Sequence, residues 1–296
     1  MDINFDYYRI FYYVGKYKNI TKAAAALGSN QPNVTRIMKL LESQLNCRLF
    51  VREPRGIILT EEGEKLYSHV EIAYRHLLSG QEEISGQEPE GAGTVEIGAT
   101  ETALHLFLLN AIKEFKMKYP KIRIKIHNHT TPEILKYFAA GNLDFAVLTT
   151  PFTIPKEYKS ENIWDFHEIL VGGVQYKYLC GEKISINELI DCPWVGLGRG
   201  TATYDLYKNF FIAHNIDMEL DMEVATSDLM LPLIQNNMGI GFVPEALALP
   251  LIEEEKVVRI NTDCVMPMRS IRIVSDKVRV KRMAADTFYR YLKAEC

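Results

Sequence analysis

The sequence predicts an α/β protein with a helical head, a long linker helix and two α/β lobes, on three observations. Apolar side chains recur at helical spacing through the first 60 residues, which close with a short hairpin pattern. A helical pattern then runs from Glu61 without a proline until Pro89. Beyond it, strand patterns alternate with helix patterns, which predicts largely parallel sheets covered by helices on both faces. We place the domain boundaries at residues 1–60, 61–93 and 94–296.

The head contains two short helices separated by a glycine. Thr21 is placed to cap a helix over residues 22–27, and Gly28 permits the turn that ends it. Asn30 is placed to cap a second helix, with Pro32 in the first turn, where its missing N–H costs nothing. This order is typical of a helix-turn-helix, whose second helix enters the major groove of DNA. An ordinary helical hairpin is the alternative from this stretch alone.

The second helix of the head has a polar outer face. Val34, Ile37, Met38 and Leu41 are expected to point inward, which leaves Gln31, Asn33, Thr35, Arg36 and Lys39 outside. Side-chain amides suit adenine, arginine suits guanine, and threonine and lysine suit the phosphate backbone. The extended run at 49–51, the turn around Pro54 and Arg55, and the run at 57–59 then predict a small hairpin.

The linker helix carries an apolar seam at the spacing of a coiled coil. Its members are Leu66, Val70, Ala73, Leu77, Gly80 and Ile84. A stripe this narrow is typical of a helix that packs on another helix, most simply its own copy, so the sequence predicts a dimer through Leu66, Val70, Ala73, Leu77 and Ile84. The alternative is a helix that packs on its own globular domain. The polar Gly/Pro stretch 85–93 marks the next domain boundary.

The rest of the chain predicts two α/β lobes of roughly 100 residues each. Predicted strands lie at 95–99, 122–126, 144–148, 193–195, 223–225, 239–243 and 270–274, and predicted helices at 102–118, 132–140, 203–215, 228–237 and 278–293. Between residues 151 and 178 the pattern is too weak to assign.

Composition places the chain among ordinary globular proteins. Hydrophobic residues make up 47% and charged residues 24%. No apolar run approaches the roughly 20 residues that span a bilayer, and no signal core follows the acidic start, so we expect a cytoplasmic protein without a membrane partner. The five cysteines are scattered and include no C-x-x-C pair, which favours free thiols over a disulfide or zinc site.

Charge is divided between the head and the rest of the chain. Residues 1–60 contain nine basic and four acidic side chains, a balance of +5 that leaves −9 for the remainder of the −4 total. A basic head on an acidic body indicates that only the head meets a polyanion, although a solvated basic surface gives the same balance.

One long stretch identifies a family. The segment "ITKAAAALGSNQPNVTRIMKLLESQLNCRLFVREPRGIILTEEGE" resembles the winged helix-turn-helix of LysR-type transcriptional regulators, in its Ala-Ala…Leu-Gly helix, Gln-Pro-x-Val-Thr-Arg helix, Leu-Phe-x-Arg wing and Leu-Thr-x-x-Gly exit. The resemblance extends to the whole chain, because this family joins such a head to a linker helix and a two-lobed effector domain.

The resemblance assigns expected DNA contacts. It implies recognition-helix contacts by Gln31, Pro32, Asn33, Thr35, Arg36 and Lys39, and wing contacts by Arg52 and Arg55. We expect Thr21 and Asn30 to contribute to DNA binding as well. The chain departs from the usual pattern with Asn30 and Thr35 in place of serine and Asn33 in place of alanine. Asn33 adds a base-reading amide, so we expect it to contribute to this protein's own choice of DNA site.

The lobes resemble periplasmic binding proteins, in which the ligand lies between two α/β lobes at strand ends. The expected cleft residues are Thr100, Thr102, Thr130, Thr131, Thr149, Thr150, Arg199, Gly200, Thr201, Thr203, Thr226 and Ser227. Hydroxyls and free N–H groups at helix starts suit an anion or carboxylate, and Arg199 would strengthen that site. The alternative for each threonine or serine is that it caps its own helix.

Together these observations predict a sequence-specific DNA-binding transcription regulator whose activity a small anionic or polar effector modulates. The expected partners are double-stranded DNA with a dyad-symmetric site, the effector and a second copy of the chain, and the family resemblance implies tetramers. No catalytic motif, metal site or cofactor is expected. The competing class is a solute-binding or enzymatic α/β protein with an incidental helical head.

Overall fold

The computed structural model of the chain describes residues 3–53, 56–85, 92–217, 219–278 and 282–295; within them, the side chains of Arg52, Arg75, His76, Ser79 and residues 82–85 are outside the description. The chain divides into two compact units, Met1–Glu88 and Pro89–Cys296. The linker helix therefore belongs to the same unit as the head.

The first unit is four helices and a hairpin. Its elements are α1 (Phe5–Tyr17), α2 (Ile20–Ala26), α3 (Gln31–Leu45), β1 (Phe50–Glu53), β2 (Gly56–Leu59) and α4 (Glu61–Ser85). Phe11 and Val14 of α1 pack with Met38 and Leu41 of α3 in a core from which water is fully excluded. Strands β1 and β2 are antiparallel, with Phe50 opposite Leu59, so the predicted hairpin after the helix-turn-helix is confirmed.

Helix α2 begins earlier than the sequence suggested. Its N-cap is Asn19, whose Oδ1 accepts the Lys22 backbone N–H at 3.0 Å, so the prediction that Thr21 caps the helix is wrong. Thr21 lies exposed inside the first turn. The better cap lies two residues upstream because the asparagine side chain reaches the free N–H groups of the first turn. Gly28 has φ +62, as the turn after α2 requires.

The first half of α4 completes the core of its own unit. Val70 is 7% exposed, and Leu66 packs against the same cluster. Tyr67 lies against Gly15 of α1 so closely that a Cβ there would be 2.3 Å from the Tyr67 ring. The alternative of a helix packed on its own domain therefore holds for this half of the seam. Ala73 and Leu77, further along α4, are exposed.

The second unit contains two α/β lobes. Its strands are β3 (Gly93–Ala99), β4 (Ile122–Asn128), β5 (Phe145–Thr149), β6 (Tyr158–Phe166), β7 (Glu168–Gly173), β8 (Val195–Leu197), β9 (Met222–Val224), β10 (Ile240–Pro244), β11 (Val257–Ile260) and β12 (Arg269–Asp276). Its α-helices are α5 (Glu101–Ala103), α6 (Leu109–Lys118), α7 (Thr131–Ala139), α8 (Ala202–Ala213), α9 (Met230–Gln235), α10 (Glu245–Glu253) and α11 (Met283–Ala294). A π-helical turn, Leu104–Leu108, joins α5 to α6, and a 3₁₀ turn, Ser227–Leu229, leads into α9.

The first lobe is a five-stranded sheet in the order β4-β3-β5-β12-β6. Strands β3, β4 and β5 pair in parallel, whereas β12 is antiparallel to both of its neighbours. Helix α11 packs on this sheet through Phe288, which is fully buried beside Phe115 and Phe145.

The second lobe repeats that arrangement on a smaller scale. Strand β7 lies between β10 and β11 and is antiparallel to both, and a parallel bridge from Trp194 to Ile240 connects β10 to the parallel pair β8–β9. In each lobe the strand that runs against the others follows a crossing between lobes: β7 follows β6, and β12 follows β11. These crossings bring Glu168, at the start of β7, and Arg269, at the start of β12, to the boundary between the lobes.

No helix among the described residues is long and apolar enough to cross a membrane.

Candidate functional site

The side chain of Asn30 caps the first turn of α3. Asn30 Oδ1 accepts the Asn33 backbone N–H at 2.8 Å, and Pro32 lies in the first turn, so both predicted start signals are confirmed. Asn30 was also expected near DNA; its carbonyl oxygen is committed to this cap, which leaves its amide N–H groups for other partners.

The polar side chains of α3 form one face, as predicted. Gln31, Arg36 and Lys39 are exposed, whereas Val34, Ile37, Met38 and Leu41 on the opposite side are buried. Pro32 is exposed and Thr35 is half-buried. We call the outward residues Gln31, Asn33, Thr35, Arg36 and Lys39 the recognition face.

Asn33 is the most constrained member of the recognition face. Its Nδ2 donates to Ser29 Oγ at 3.1 Å, and its Oδ1 accepts from Arg36 Nη2 at 3.2 Å. The amide thus connects the turn before α3 to the arginine one turn later. It retains one N–H and one lone pair, so it can position Arg36 and still contact a base.

The wing is described only in part. The β1–β2 register places Arg52 opposite Ile57, but the side chain of Arg52 and the whole of Arg55 lie outside the described residues. Gly56 has φ +148, and a Cβ there would lie 2.5 Å from the Lys18 carbonyl oxygen, so this turn requires glycine. The other described basic side chains of residues 1–60 are exposed; they are Arg9, Lys16, Lys18, Lys22 and Arg48.

In the second unit, threonines from both lobes surround one cavity of about 330 Å³, which we call the cleft. It is lined by Thr100, Glu101, Thr102, Asn128, His129, Thr130, Thr131, Glu133, Thr149, Leu197, Thr201, Ala202, Thr203, Ala225, Thr226 and Ser227. Most of the residues predicted at strand ends therefore meet in one place. They meet because the carboxyl ends of parallel strands share one edge of a sheet.

Three predicted cleft residues are absent from that lining. Thr150 is directed to the strand β12, where its Oγ1 accepts the Ser270 N–H at 2.9 Å. Arg199 and Gly200 are exposed and lie outside the cleft. The chain turns at Gly200, with φ +88, before α8 begins, and Arg199 precedes that turn. Arg199 therefore does not line the cleft as the sequence predicted.

Some cleft hydroxyls cap their own helices, as the alternative interpretation expected. Thr201 Oγ1 accepts the Tyr204 N–H at 3.1 Å. The backbone N–H and hydroxyl of Thr130 both donate to Glu133, which lowers the pKa of that carboxyl. Thr100 and Thr226 also precede helical turns but make no capping bond with their side chains. Thr226 remains available to a ligand, whereas Thr100 Oγ1 lies 3.5 Å from Thr149 Oγ1.

The two lobes touch across the cleft through hydroxyl groups. Thr102 Oγ1 of the first lobe lies 3.3 Å from Ser227 Oγ of the second. The contact joins two flexible neutral groups, so breaking it when the lobes separate costs little free energy.

A buried ion pair that sequence reasoning missed lies beneath these residues. Arg269 Nη1 donates to Glu168 Oε1 at 2.7 Å, with side-chain exposures of 3% and 2%. Arg269 also donates from Nε to the Thr150 carbonyl at 2.7 Å, and from Nη2 to the hydroxyls of Thr149 at 3.4 Å and Thr203 at 3.1 Å. One guanidinium thus bonds to both lobes.

Tyr207 lies beside this pair. Burial raises the pKa of Tyr207 well above its ordinary value, and the nearby Glu168 carboxylate raises it further. The Tyr207 hydroxyl donates to the Phe242 carbonyl at 3.2 Å. Among the described residues, no group of three or more His, Cys, Asp or Glu side chains is arranged to hold a metal.

A winged helix-turn-helix followed by a two-lobed domain with a polar cleft defines a DNA-binding transcription regulator with an effector-binding domain. The model of the bacterial regulatory helix-turn-helix protein, lysR family, matches residues 5–64. The model of the LysR substrate binding domain matches residues 89–296. The chain belongs to the LysR family of bacterial transcriptional regulators.

Curated relatives and solved structures are similar to this chain over most of its length. The uncharacterized HTH-type transcriptional regulator YoaU of Bacillus subtilis is 25% identical and covers 99% of both chains. The HTH-type regulator YofA of Bacillus velezensis is 28% identical over 80% of this chain and 79% of its own. The fold is similar to that of CbnR complexed with its target DNA, at 18% identity, TM-score 0.68 and full coverage of both chains. A full-length OxyR variant from Pseudomonas aeruginosa has a TM-score of 0.69 at 15% identity, covering 100% of this chain and 95% of its own.

Proposed function

We propose that the recognition face of α3 reads the operator sequence, with Arg36 and Asn33 at base edges, and that Arg52 and Arg55 of the wing contact phosphates. The observation that supports this most is the division of α3 into a fully buried apolar side and an exposed polar side. An exposed helix with amide and guanidinium groups on one face matches the hydrogen-bond pattern of the major groove. Because the family acts on bacterial DNA, we place the protein in the cytoplasm.

DNA binding is tested on sites recovered from random DNA with the full chain. Arg36→Ala is expected to weaken binding roughly tenfold or more, and Lys39→Ala to lower the salt dependence by about one counterion. Arg199→Ala is the matched control, because it removes an exposed arginine from the other unit. Unchanged affinity of Arg36→Ala, or binding that survives removal of residues 1–60, contradicts the proposal.

We propose that α4 joins two copies, so that two recognition helices meet a dyad-symmetric site. Ala73 and Leu77 are exposed apolar residues on one seam, and Phe5, Tyr8, Leu66 and Tyr74 line an apolar cavity of about 290 Å³ beside it. An exposed apolar seam is stabilised when a second helix covers it. Ile84, predicted on the same seam, has its side chain outside the description. We further propose that two such dimers form a tetramer.

We propose that the cleft binds a small polar effector and that its activity is binding without a catalysed step. The observation that supports this is the convergence of hydroxyls from both lobes on one cavity. No lysine or arginine is among the cleft residues, so an anionic group would be held by backbone N–H groups at helix starts and by hydroxyls. A ligand that contacts both lobes stabilises their closed arrangement.

The cleft is tested by measuring the melting temperature of the protein in the presence of carboxylates, inorganic anions and polyols. A bound effector is expected to raise the melting temperature and to change operator affinity. Thr226→Val is expected to weaken that response, because Thr226 lines the cleft and makes no capping bond. If Thr226→Val and Thr102→Val are stabilised as strongly as the wild type, the ligand binds elsewhere and the proposed site is wrong.

A further inference from the structure

A second, smaller cavity lies directly beneath the cleft. Its volume is about 20 Å³, enough for one water-sized group. Thr102, Leu197, Thr203 and Ser227 line both cavities, so the two are adjacent. We call it the inner pocket. Its other walls include Tyr207, Met230, Phe242, Glu168 and Arg269.

Glu168 lines the inner pocket and has one unused acceptor. Its Oε1 accepts from Arg269, whereas Oε2 is buried without a hydrogen-bond partner among the described residues. The side chain is 2% exposed, so bulk water does not reach that oxygen. A buried carboxylate oxygen without a donor is costly, and a donor that reaches it gains correspondingly.

The neighbouring donors are already committed. Arg269 donates to Glu168 Oε1, to the Thr150 carbonyl and to two threonine hydroxyls, so turning toward Oε2 would break these bonds. The Tyr207 hydroxyl donates to the Phe242 carbonyl at 3.2 Å and also interacts with the Glu168 side chain, so its single proton is shared between these two acceptors. A donor with no other acceptor to satisfy can reach Glu168 through the inner pocket, which this residue lines.

Charge selects the kind of donor. The Glu168 carboxylate is already balanced by the Arg269 guanidinium, so the buried pair is neutral as a whole. An ammonium group would add an unbalanced buried charge, which is expensive, and a second carboxylate would be repelled by Glu168. A neutral hydroxyl adds no charge, donates one proton and has the size of one water molecule.

We propose that the inner pocket is a hydroxyl-recognition subsite, in which an aliphatic hydroxyl of the effector donates to Glu168 Oε2. The proposal rests on the cleft being the effector site. A hydroxy acid and a neutral polyol share this chemistry, and they differ in whether a carboxylate remains in the cleft. Glu168 selects the effector here, and Arg269 holds Glu168 in place and links it to both lobes.

The test uses ligands that differ at one group, titrated calorimetrically into the full chain. The first acid set is lactate with its deoxy and oxo counterparts, propionate and pyruvate. The second acid set is 2-hydroxyglutarate with glutarate and 2-oxoglutarate. The neutral set is ribose with 2-deoxyribose. In at least one set the hydroxylated member is expected to bind roughly tenfold or more tightly than its partners, since a deoxy or oxo group leaves the carboxylate oxygen unpaired. Preference within an acid set identifies a hydroxy acid, and preference within the sugar pair identifies a polyol.

A variant assigns the preference to Glu168. In Glu168→Gln the amide carbonyl is expected to face Arg269 and its NH₂ the inner pocket, which replaces an acceptor by a donor. The preference for hydroxyl over oxo should then fall to about one or reverse. Thr226→Val is the matched control, because Thr226 lines the cleft but not the inner pocket and should weaken all members of a set alike. If Glu168→Gln fails to fold by circular dichroism, Glu168→Gln/Arg269→Gln removes the charge together with its partner and should lose the preference too.

Three results overturn the inference. If hydroxylated, deoxy and oxo ligands bind equally to the wild type, Oε2 finds its donor inside the protein, with Tyr207 the nearest source, and the effector site of the cleft stands unaffected. If no ligand of any set binds at millimolar concentration, hydroxyl recognition is also wrong, and the cleft is judged by its own tests with the Thr102 and Thr226 variants. A preference that persists unchanged in both Glu168 variants equally contradicts the role of this residue.

Discussion

At the scale of residues, four asparagines of the first unit fill three different roles. Asn19 and Asn30 cap α2 and α3 with their side chains, and Asn46 ends α3 in the left-handed region with φ +52. Asn33 instead bonds sideways to Ser29 and Arg36. Asparagine suits all of these positions because its short amide bonds to nearby backbone and tolerates positive φ.

The side chain of Asn19, as the N-cap of α2, is expected to stabilise the protein. Asn19→Ala is expected to lower the free energy of unfolding by about 1 kcal/mol, because the Lys22 N–H loses its partner. Thr21→Ala should change it by less than about 0.5 kcal/mol, since that side chain is exposed inside the helix. Urea unfolding of the two variants provides the comparison. A larger loss for Thr21→Ala than for Asn19→Ala would return the capping role to Thr21.

The cleft residues were predictable to the extent that they follow strands. Thr100 follows β3, Thr149 is the last residue of β5, and Thr226 follows β9. Because the carboxyl ends of parallel strands share one edge of a sheet, these positions were expected at the cleft. Glu168 and Arg269 could not be predicted, because 101 residues separate them and only the two lobe crossings bring them together. Arg199 was misplaced because a loop sequence does not indicate which way a side chain points.

At the scale of elements, the sequence missed β11 and the two strands on either side of the first crossing between the lobes, β6 and β7. The sequence of β6, "YKSENIWDF", is largely polar with few buried positions, as at the edge of a sheet, so it lacks an apolar period. Strand β7 is wholly buried but contains a glutamate and two glycines, which obscured its strand character. Among the strands that pair in parallel, β5 is a continuous buried apolar run and β4, "IRIKIHN", alternates apolar with polar residues, and both patterns are recognisable strand signals.

Helix α4 offers a matched pair of glycines. A Cβ on Gly63 would lie 1.9 Å from the Leu49 carbonyl oxygen, whereas one on Gly80 meets nothing within 4 Å. Gly63→Ala is therefore expected to destabilise the protein by about 3 kcal/mol or more, and Gly80→Ala to stabilise it by roughly 0.5–1 kcal/mol. Thermal unfolding measures both. Gly63→Ala with wild-type stability would mean that α4 does not begin against Leu49.

A carboxylate ties β6 to α11 and makes that tie sensitive to acid. Burial by itself would raise the pKa of Glu161, but hydrogen bonds from Lys293, Tyr289 and Lys159 lower it from 4.5 to about 2. Because the folded-state pKa is the lower one, the ionised carboxylate contributes stability above pH 4.5, and this contribution is lost as the pH falls toward 2. We estimate it at roughly 2–3 kcal/mol after allowance for the exposed lysines.

This tie predicts a pH-dependent difference between wild type and Glu161→Gln. At pH 6 the variant should melt at a lower temperature, and the difference should shrink progressively between pH 4.5 and 2. Asp165→Asn is a suitable control, since Asp165 lies on the same strand and is exposed. A difference that stays constant over this range would show that the charge of Glu161 is not what stabilises α11.

At the scale of the whole molecule, the net positive charge lies on the head and the net negative charge on the rest of the chain. The described basic residues of the head are exposed, and the acidic remainder keeps the chain at −4 overall, so electrostatic attraction to DNA is concentrated on one part of each copy. One head offers few phosphate contacts, whereas two heads on one dimer bind adjacent half-sites with the second event intramolecular.

Disrupting the seam of α4 should therefore weaken DNA binding without touching the recognition face. Leu77 is 49% exposed, and Leu77→Glu places a charge in the proposed apolar contact between copies. Sedimentation is expected to show a shift toward monomer, and operator affinity to fall about 100-fold through loss of the second head. Val265→Glu is the matched control: Val265 is 78% exposed, lies in the second unit and should leave both properties unchanged. A Leu77→Glu protein that remains dimeric would remove α4 as the dimer contact, and a monomer that binds the operator as tightly as the wild type would show that one recognition helix is enough.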